Sequence, residues 1–264
     1  MYVLTSRVRY SEIDESGALS PLSLINYLQD CSTFHAEDVG AGIAASVERR
    51  AAWMIAAWKI RIHRLPSMGE SIRIRTWPTG FKGLMSNRNF VMEPADAPEG
   101  AAPLVEADSA WFLFDVDAGR PRRLVREDLS CYLENDAFEP ALDMPAVQRR
   151  LRVPRDAEPV VADAVTVTGG HIDTNHHVNN AQYVGMALDA LRALAPAPEG
   201  SVWELPPQPE PCGIDVQYVA AAKLGDTVVP HVYPLEAAEG GAQEVLVALD
   251  APDGGHYALV KLAF

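Results

Sequence analysis

A pattern that occurs twice constrains this chain more than any other feature. Arg9–Asp30, RYSEIDESGALSPLSLINYLQD, can be laid on Gly169–Asp189, with Asp14 opposite Asp173 and Asp30 opposite Asp189. Both pairs are 159 residues apart. Few identities are kept, but the order of acid, short polar turn and helix pattern is. Two unrelated capped helices would also give this likeness; duplication is the preferred reading. It predicts two copies of one small domain, each with a long helix against an antiparallel sheet. A length of 264 residues suits two such domains.

The local patterns agree. Ser20-Pro21 is an N-cap followed by proline at the first helical position. Leu22, Ile25, Leu28, Ser32, His35 and Val39 then share a face, and Gly40 supplies a stop. A second helix starts near Asn179, with Tyr183, Ala187, Leu188, Leu191 and Leu194 on one face and Pro196 ending it. Strands are expected where Met54, Ala56, Trp58, Ile60 and Ile62 alternate with polar neighbours, and where Ile72 and Ile74 alternate with Arg73 and Arg75. Ala110, Phe112 and Phe114 give another, and Ile214, Val216 and Tyr218 another. A last hairpin joins Glu244–Leu249 to His256–Phe264. Residues 136–160 hold Pro140, Pro145, Pro154 and Pro159 without a sustained period and read as a connection. The expected organisation is therefore 1–135, a connecting segment 136–160, and 161–264.

Charge limits the partners. The net charge is −14, but it is uneven. Residues 1–160 carry 19 basic and 23 acidic side chains, and residues 161–264 carry 3 and 13. Nucleic acid and anionic membranes are disfavoured, because like charge repels at long range. Cys31, Cys131 and Cys212 are odd in number and far apart, so they form no disulfide framework and no zinc motif. The opening MYVLTSRVRY lacks the pattern of a secretion signal, and Ala51–Trp58 is too short an apolar run to span a bilayer. A soluble cytoplasmic protein is expected.

The densest polar cluster is His171-Ile172-Asp173-Thr174-Asn175-His176-His177-Val178-Asn179-Asn180, just before the second helix. A carboxylate, an amide and imidazoles meet at a helix N-terminus, where backbone N–H groups favour developing negative charge. Acyl transfer needs such parts: a base or nucleophile, groups that position it, and donors for an oxyanion. Asp173 is the candidate base or nucleophile. Asn175 and His177 are the candidates to hold that carboxylate and the substrate. Capping turns use the same residue types, so a purely structural turn is the competing reading. The three histidines lack a zinc-binding pattern, so no metal is expected, nor any cofactor.

Asp173-Thr174-Asn175-His176-His177-Val178-Asn179-Asn180, continuing to Tyr183, resembles the D-x-N-x-H-V-N-N-x-x-Y block of acyl-acyl carrier protein (acyl-ACP) thioesterases. The opening RYSEIDESGALSPLSLINYLQDCSTFHAEDVG is similar to the same family. So are Trp58-Lys59-Ile60, Pro66-x-x-Gly69-Glu70, Thr76–Gly83, Ser109–Leu113 and Gly119-Arg120-Pro121, in order. The resemblance implies an α+β tandem double hotdog, two long helices each wrapped by an antiparallel sheet, with the sheets continuous. It also implies an acyl pocket in the first half and catalysis in the second. Ala18 stands opposite His177, which fits that asymmetry. One departure is plain: Ala221 occupies the position where the family often has a downstream Glu, and a methyl group cannot accept a proton.

The implied activity is hydrolysis of fatty acyl-ACP, which releases the fatty acid and ends its synthesis. The alternatives are an acyl-CoA thioesterase and a weakened acyl-carrier-binding protein. The implied partner is an acyl carrier protein bearing an acyl-phosphopantetheine. Trp58 and Asn179 are substrate-binding candidates, as are Arg120, Arg122 and Arg123. These arginines, with Arg126 and with the run Arg149, Arg150, Arg152 and Arg155, offer local positive charge to an acidic carrier. Two fused hotdogs fit a monomer or a homodimer.

Overall fold

The first helix begins where its caps say it should. Ser20 Oγ accepts the Ser23 N–H at 3.1 Å, and α1 runs over Pro21–Asp38. Gly40, just past its end, takes φ +72°. Of the face the pattern predicts, Ile25, Leu28, Ser32 and His35 are buried, and Leu22 and Val39 at its ends are half-buried. The computed structural model describes residues 1–98, 100–133, 137–155, 157–194, 210–235 and 242–264. The expected boundary at 135/136 and the expected helix stop at Pro196 lie outside the described residues.

Two compact units make up the chain, Met1–Val147 and Gln148–Phe264. In unit 1, β1 (Tyr2–Arg7) precedes α1, and α2 (Ile43–Arg49) follows it. Then come β2 (Ala51–Ile62), β3 (Ser71–Lys82), β4 (Met85–Pro94), β5 (Val105–Asp115), β6 (Arg120–Arg122) and the short α3 (Arg126–Leu129). Their antiparallel order is β1-β3-β4-β5-β2, with β6 on β5. Unit 2 has β7 (Val160–Val161), β8 (Val165–Thr166), α4 (Asn180–Ala193), β9 (Gly213–Tyr218), β10 (Thr227–Leu235), β11 (Glu244–Asp250) and β12 (His256–Ala263). Its order is β9-β12-β11-β10, and β7 and β8 both pair with β10. The two units thus repeat one strand order around one long helix, the hotdog arrangement twice over.

One strand departs from simple alternation. In β2 the buried residues are Ala51, Ile55, Ala57, Trp58, Ile60 and Ile62, whereas Met54 and Ala56 are only half-buried. The register against β5 shifts between Ile55 and Ala57. A bulge there adds a residue and resets which side chains face inward. A similar difference holds in β5, where Leu113 is buried and Phe112 and Phe114 are half-buried.

The interior of unit 1 holds a polar cluster. Arg88 Nη1 donates to His35 Nδ1 at 2.9 Å and to Thr76 Oγ1 at 3.1 Å. The Tyr132 ring lies 5.4 Å from the Arg88 Cζ, and Tyr2 stacks on His35. Burial, and then the Arg88 charge, push the His35 pKa down to about 3. A neutral imidazole is what this contact requires, since Nδ1 must accept.

The proline-rich connection is pinned down. Trp77 Nε1–H donates to the Pro140 carbonyl, Leu142 N–H to Asn89 Oδ1, and Val147 N–H to Asp108 Oδ2, each at 2.9 Å. Beyond Gln148, Leu151 N–H donates to Gln217 Oε1 at 2.7 Å, and Leu151 and Val153 pack on the Tyr233, Leu246 and Leu259 cluster. Arg149, Arg150, Arg152 and Arg155 point to solvent.

Candidate active site

The polar cluster before α4 folds into a tight turn because its aspartate turns the backbone. Asp173 Oδ1 accepts the Asn175 N–H at 2.8 Å and the His177 N–H at 3.4 Å. Asp173 N–H donates to the His177 carbonyl at 2.8 Å, and His176 N–H to the Asp173 carbonyl at 3.1 Å. Ile172 and Val178 bridge across the turn. His176 takes φ +60°, a left-handed conformation that disfavours a side chain. Asp173 and His177 are half-buried and Asn175 is exposed. The three candidate catalytic residues therefore share one short turn. Among the described residues no hydrogen bond joins their side chains.

Unit 1 contains the same turn. Asp14 N–H donates to the Ala18 carbonyl at 2.9 Å, Gly17 N–H to the Asp14 carbonyl at 3.0 Å, and Ile13 bridges Leu19. Asp14 Oδ1 accepts the Ser16 N–H at 2.9 Å. Gly17 takes φ +81° where unit 2 has His176. The equivalence extends upstream: Ser20 N–H donates to the Glu12 carbonyl and Asn179 N–H to the His171 carbonyl. The backbones match, and the side chains opposite Asn175 and His177 are Ser16 and Ala18.

Asn179 is the N-cap of α4. Its Oδ1 accepts the Ala181 N–H at 2.8 Å, and its carbonyl accepts the Gln182 N–H at 2.9 Å. Those two first-turn donors are therefore spoken for, so an oxyanion at this helix end has fewer backbone N–H groups than the sequence suggests. Ala221 is exposed, one residue before Ala222, whose carbonyl accepts the Val178 N–H at 2.9 Å. A carboxylate at position 221 would thus sit beside the turn, and here that place is a methyl group.

The remaining candidates separate. Trp58 has no exposed surface and packs in unit 1 with Phe90 and Trp111 at ring distances of 5.1 and 6.3 Å. Its indole N–H has no partner among the described residues. Arg120 and Arg123 are exposed, but Arg122 is half-buried and paired with the buried Asp128 at 2.5 Å. The run is not one uniform patch. Among the described residues no group of three His, Cys, Asp or Glu side chains is placed to hold a metal, and no helix is long and apolar enough to cross a membrane.

Sequence reasoning missed one contact of the site. Ala222 N–H donates to the buried Tyr183 Oη at 2.9 Å. Laying Pro66-x-x-Gly69-Glu70 on Ala222-x-x-Gly225-Asp226 would have drawn attention to it.

Known proteins resemble both the sequence and the fold. Residues 2–132 match the acyl-ACP thioesterase N-terminal domain. The chain is 24% identical over 194 residues to the chloroplastic oleoyl-acyl carrier protein thioesterase 1 of Arabidopsis thaliana, covering 70% of this chain and 53% of that one. It is 23% identical to the palmitoyl-acyl carrier protein thioesterase of Gossypium hirsutum, covering 69% and 45%. The chain thus spans about half the length of these curated relatives. A putative oleoyl thioesterase from Lactobacillus plantarum shares the fold with a TM-score of 0.79 at 21% identity, over 99% of this chain and 94% of that one. An acyl-ACP thioesterase from Bacteroides thetaiotaomicron does so at 0.75 and 23%, over 99% and 96%. Residues 2–132 thus carry an acyl-ACP thioesterase N-terminal domain, and the curated relatives that extend over about 70% of the chain are acyl-ACP thioesterases.

Proposed function

We propose that the protein hydrolyses the thioester of fatty acyl-ACP, releasing the fatty acid and the carrier thiol. The observation that carries this reading is the paired turns. The same backbone carries Asp173, Asn175 and His177 in unit 2 and Asp14, Ser16 and Ala18 in unit 1. Amide and imidazole have been added to a loop that folds without them.

In the proposed reaction Asp173 takes a proton from water, and the water oxygen attacks the thioester carbonyl carbon. The alternative is direct attack by Asp173, giving an anhydride that water then cleaves. Either way the C–S bond breaks, and the departing sulfur becomes the carrier's thiol with a proton that comes from the water, passed through Asp173 in the first route. His177 orients or polarises the substrate carbonyl. The acidic carrier docks on exposed arginines, Arg120 and Arg123 or Arg149, Arg150, Arg152 and Arg155, by charge complementarity. A cytoplasmic location belongs to the same reading.

The test is a hydrolysis assay over a chain-length panel of acyl-ACP and acyl-CoA, with Asp173→Asn and His177→Ala alongside. Turnover of acyl-ACP that both variants lose supports the proposal. Preference for CoA moves the substrate class. Tight binding of acyl-ACP without turnover favours a carrier-binding role, which the methyl group at Ala221 makes specific enough to test.

A further inference from the structure

Unit 2 makes one hydrogen bond beside its turn that unit 1 has no means of making. The Ala222 carbonyl accepts Val178 N–H, and the Pro66 carbonyl accepts Leu19 N–H at 2.8 Å, so Ala222 and Pro66 are equivalent. Gly225 and Gly69 match as well, with φ +86° and +81° and N–H bonds to the carbonyls of Val167 and Val8. Counting from the turn, Tyr183 is equivalent to Leu24, and both are buried. The bond between Ala222 N–H and Tyr183 Oη therefore has Pro66 and Leu24 at the corresponding places. Proline has no N–H and leucine no hydroxyl. Donor and acceptor are absent together, in the unit that also lacks the imidazole.

The surroundings of Tyr183 fit a fixed strut. Its ring lies 6.0 Å from that of Tyr218, whose hydroxyl donates to the Asn180 carbonyl at 3.1 Å. Burial pushes its pKa up to about 12, and the charge of Asp173 adds to the rise. The phenol keeps its proton at ordinary pH.

We propose that Tyr183 is a positioning residue for the hydrolysis: its hydroxyl locks the 220–222 stretch, and through Ala222 and Val178 the turn bearing His177. Val178 follows His177 directly, so slack at Ala222 becomes a displacement of the imidazole. Misplacing a reacting group by about 1 Å can cost on the order of 100-fold in rate. In unit 1 Pro66 has no N–H to be held, and no reacting side chain precedes Leu19 in the equivalent turn.

This inference rests on the hydrolytic reading, and the experiment separates the two. The kcat, KM and Tm of wild type, Tyr183→Phe and the double variant Tyr183→Leu/Ala222→Pro are measured on the better substrate of the panel. Tyr183→Phe is expected to lower kcat roughly 10–100-fold with KM little changed. It also leaves the buried Ala222 N–H unpaired, which lowers Tm. The double variant installs the unit 1 pair and removes that orphan, so it is expected to regain Tm but not kcat. Recovery of both overturns the inference and leaves a purely structural bond. If the double variant does not fold, Tyr183→Phe decides alone, and wild-type kcat there overturns the inference. An inactive wild type overturns the hydrolytic reading and this inference with it.

Discussion

His177 occupies in unit 2 the turn position that Ala18 holds in unit 1. The carbonyl of each accepts the N–H of the aspartate four residues earlier, at 2.8 Å from Asp173 and 2.9 Å from Asp14. The imidazole is therefore not needed to form the turn, and His177→Ala is expected to keep Tm near wild type. Its hydrolytic rate should fall by roughly 10²–10⁴-fold. Asp173→Asn keeps an Oδ1 acceptor for Asn175 N–H, so it too should fold while losing turnover. Thermal melts beside initial rates check both, and an unchanged rate in either removes that residue from the reaction.

The buried His35 predicts acid sensitivity. Its folded pKa, about 3, lies below its ordinary value of 6.5. Below pH 6.5 the unfolded chain binds a proton that the folded one refuses. Stability from this group is complete above pH 6.5 and drains away as pH falls towards 3, by roughly a few kcal/mol in all. Denaturant melts at pH 7.5 and 4.5 on wild type and His35→Gln should show the smaller pH dependence in the variant. Equal dependence would assign the sensitivity elsewhere.

The two helix caps form a matched pair. Ser20→Ala and Asn179→Ala should each cost about 1 kcal/mol, since each removes a side-chain acceptor from a first-turn N–H. Only Asn179→Ala should also raise KM or lower kcat, because only its helix follows the turn proposed to be reactive. Chemical denaturation and steady-state kinetics on the same preparations give the comparison. Equal kinetic effects would deny Asn179 a substrate role.

The arginines should differ according to their neighbours. Arg122→Glu faces the buried Asp128 and should destabilise unit 1. Arg120→Glu/Arg123→Glu, and separately the reversal of Arg149, Arg150 and Arg152, leave folding intact. If either exposed group receives the carrier, its reversal raises KM for acyl-ACP roughly tenfold and leaves a short acyl-pantetheine unaffected. Equal effects on both substrates, or none, would discard that group as the docking surface.

Much of the fold was legible because its signals are local. Ser20-Pro21 and Asn179 announce their helices within one turn of chain, and the Asp-to-helix spacing exposes the repeat. The inward phase of β2 was not legible, because the bulge between Ile55 and Ala57 depends on pairing with β5. His35 was placed on the buried face of its helix, but its partner Arg88 is 53 residues away. The candidate turn was visible for the same reason as the helices, being contiguous. Tyr183 and Ala222 meet across 39 residues, and no periodicity in either segment links them.

Asp14 has a consequence for how such chains are told apart. Its carboxylate stays in a loop with no imidazole, engaged by the N–H and hydroxyl of Ser16. The backbone needs an acceptor at that point to reverse direction, whether or not any chemistry follows. An acid there is thus a poor marker of activity in a gene survey. Under the proposed mechanism the informative letter is four places further on, and sorting similar sequences by it would separate reactive copies from silent ones.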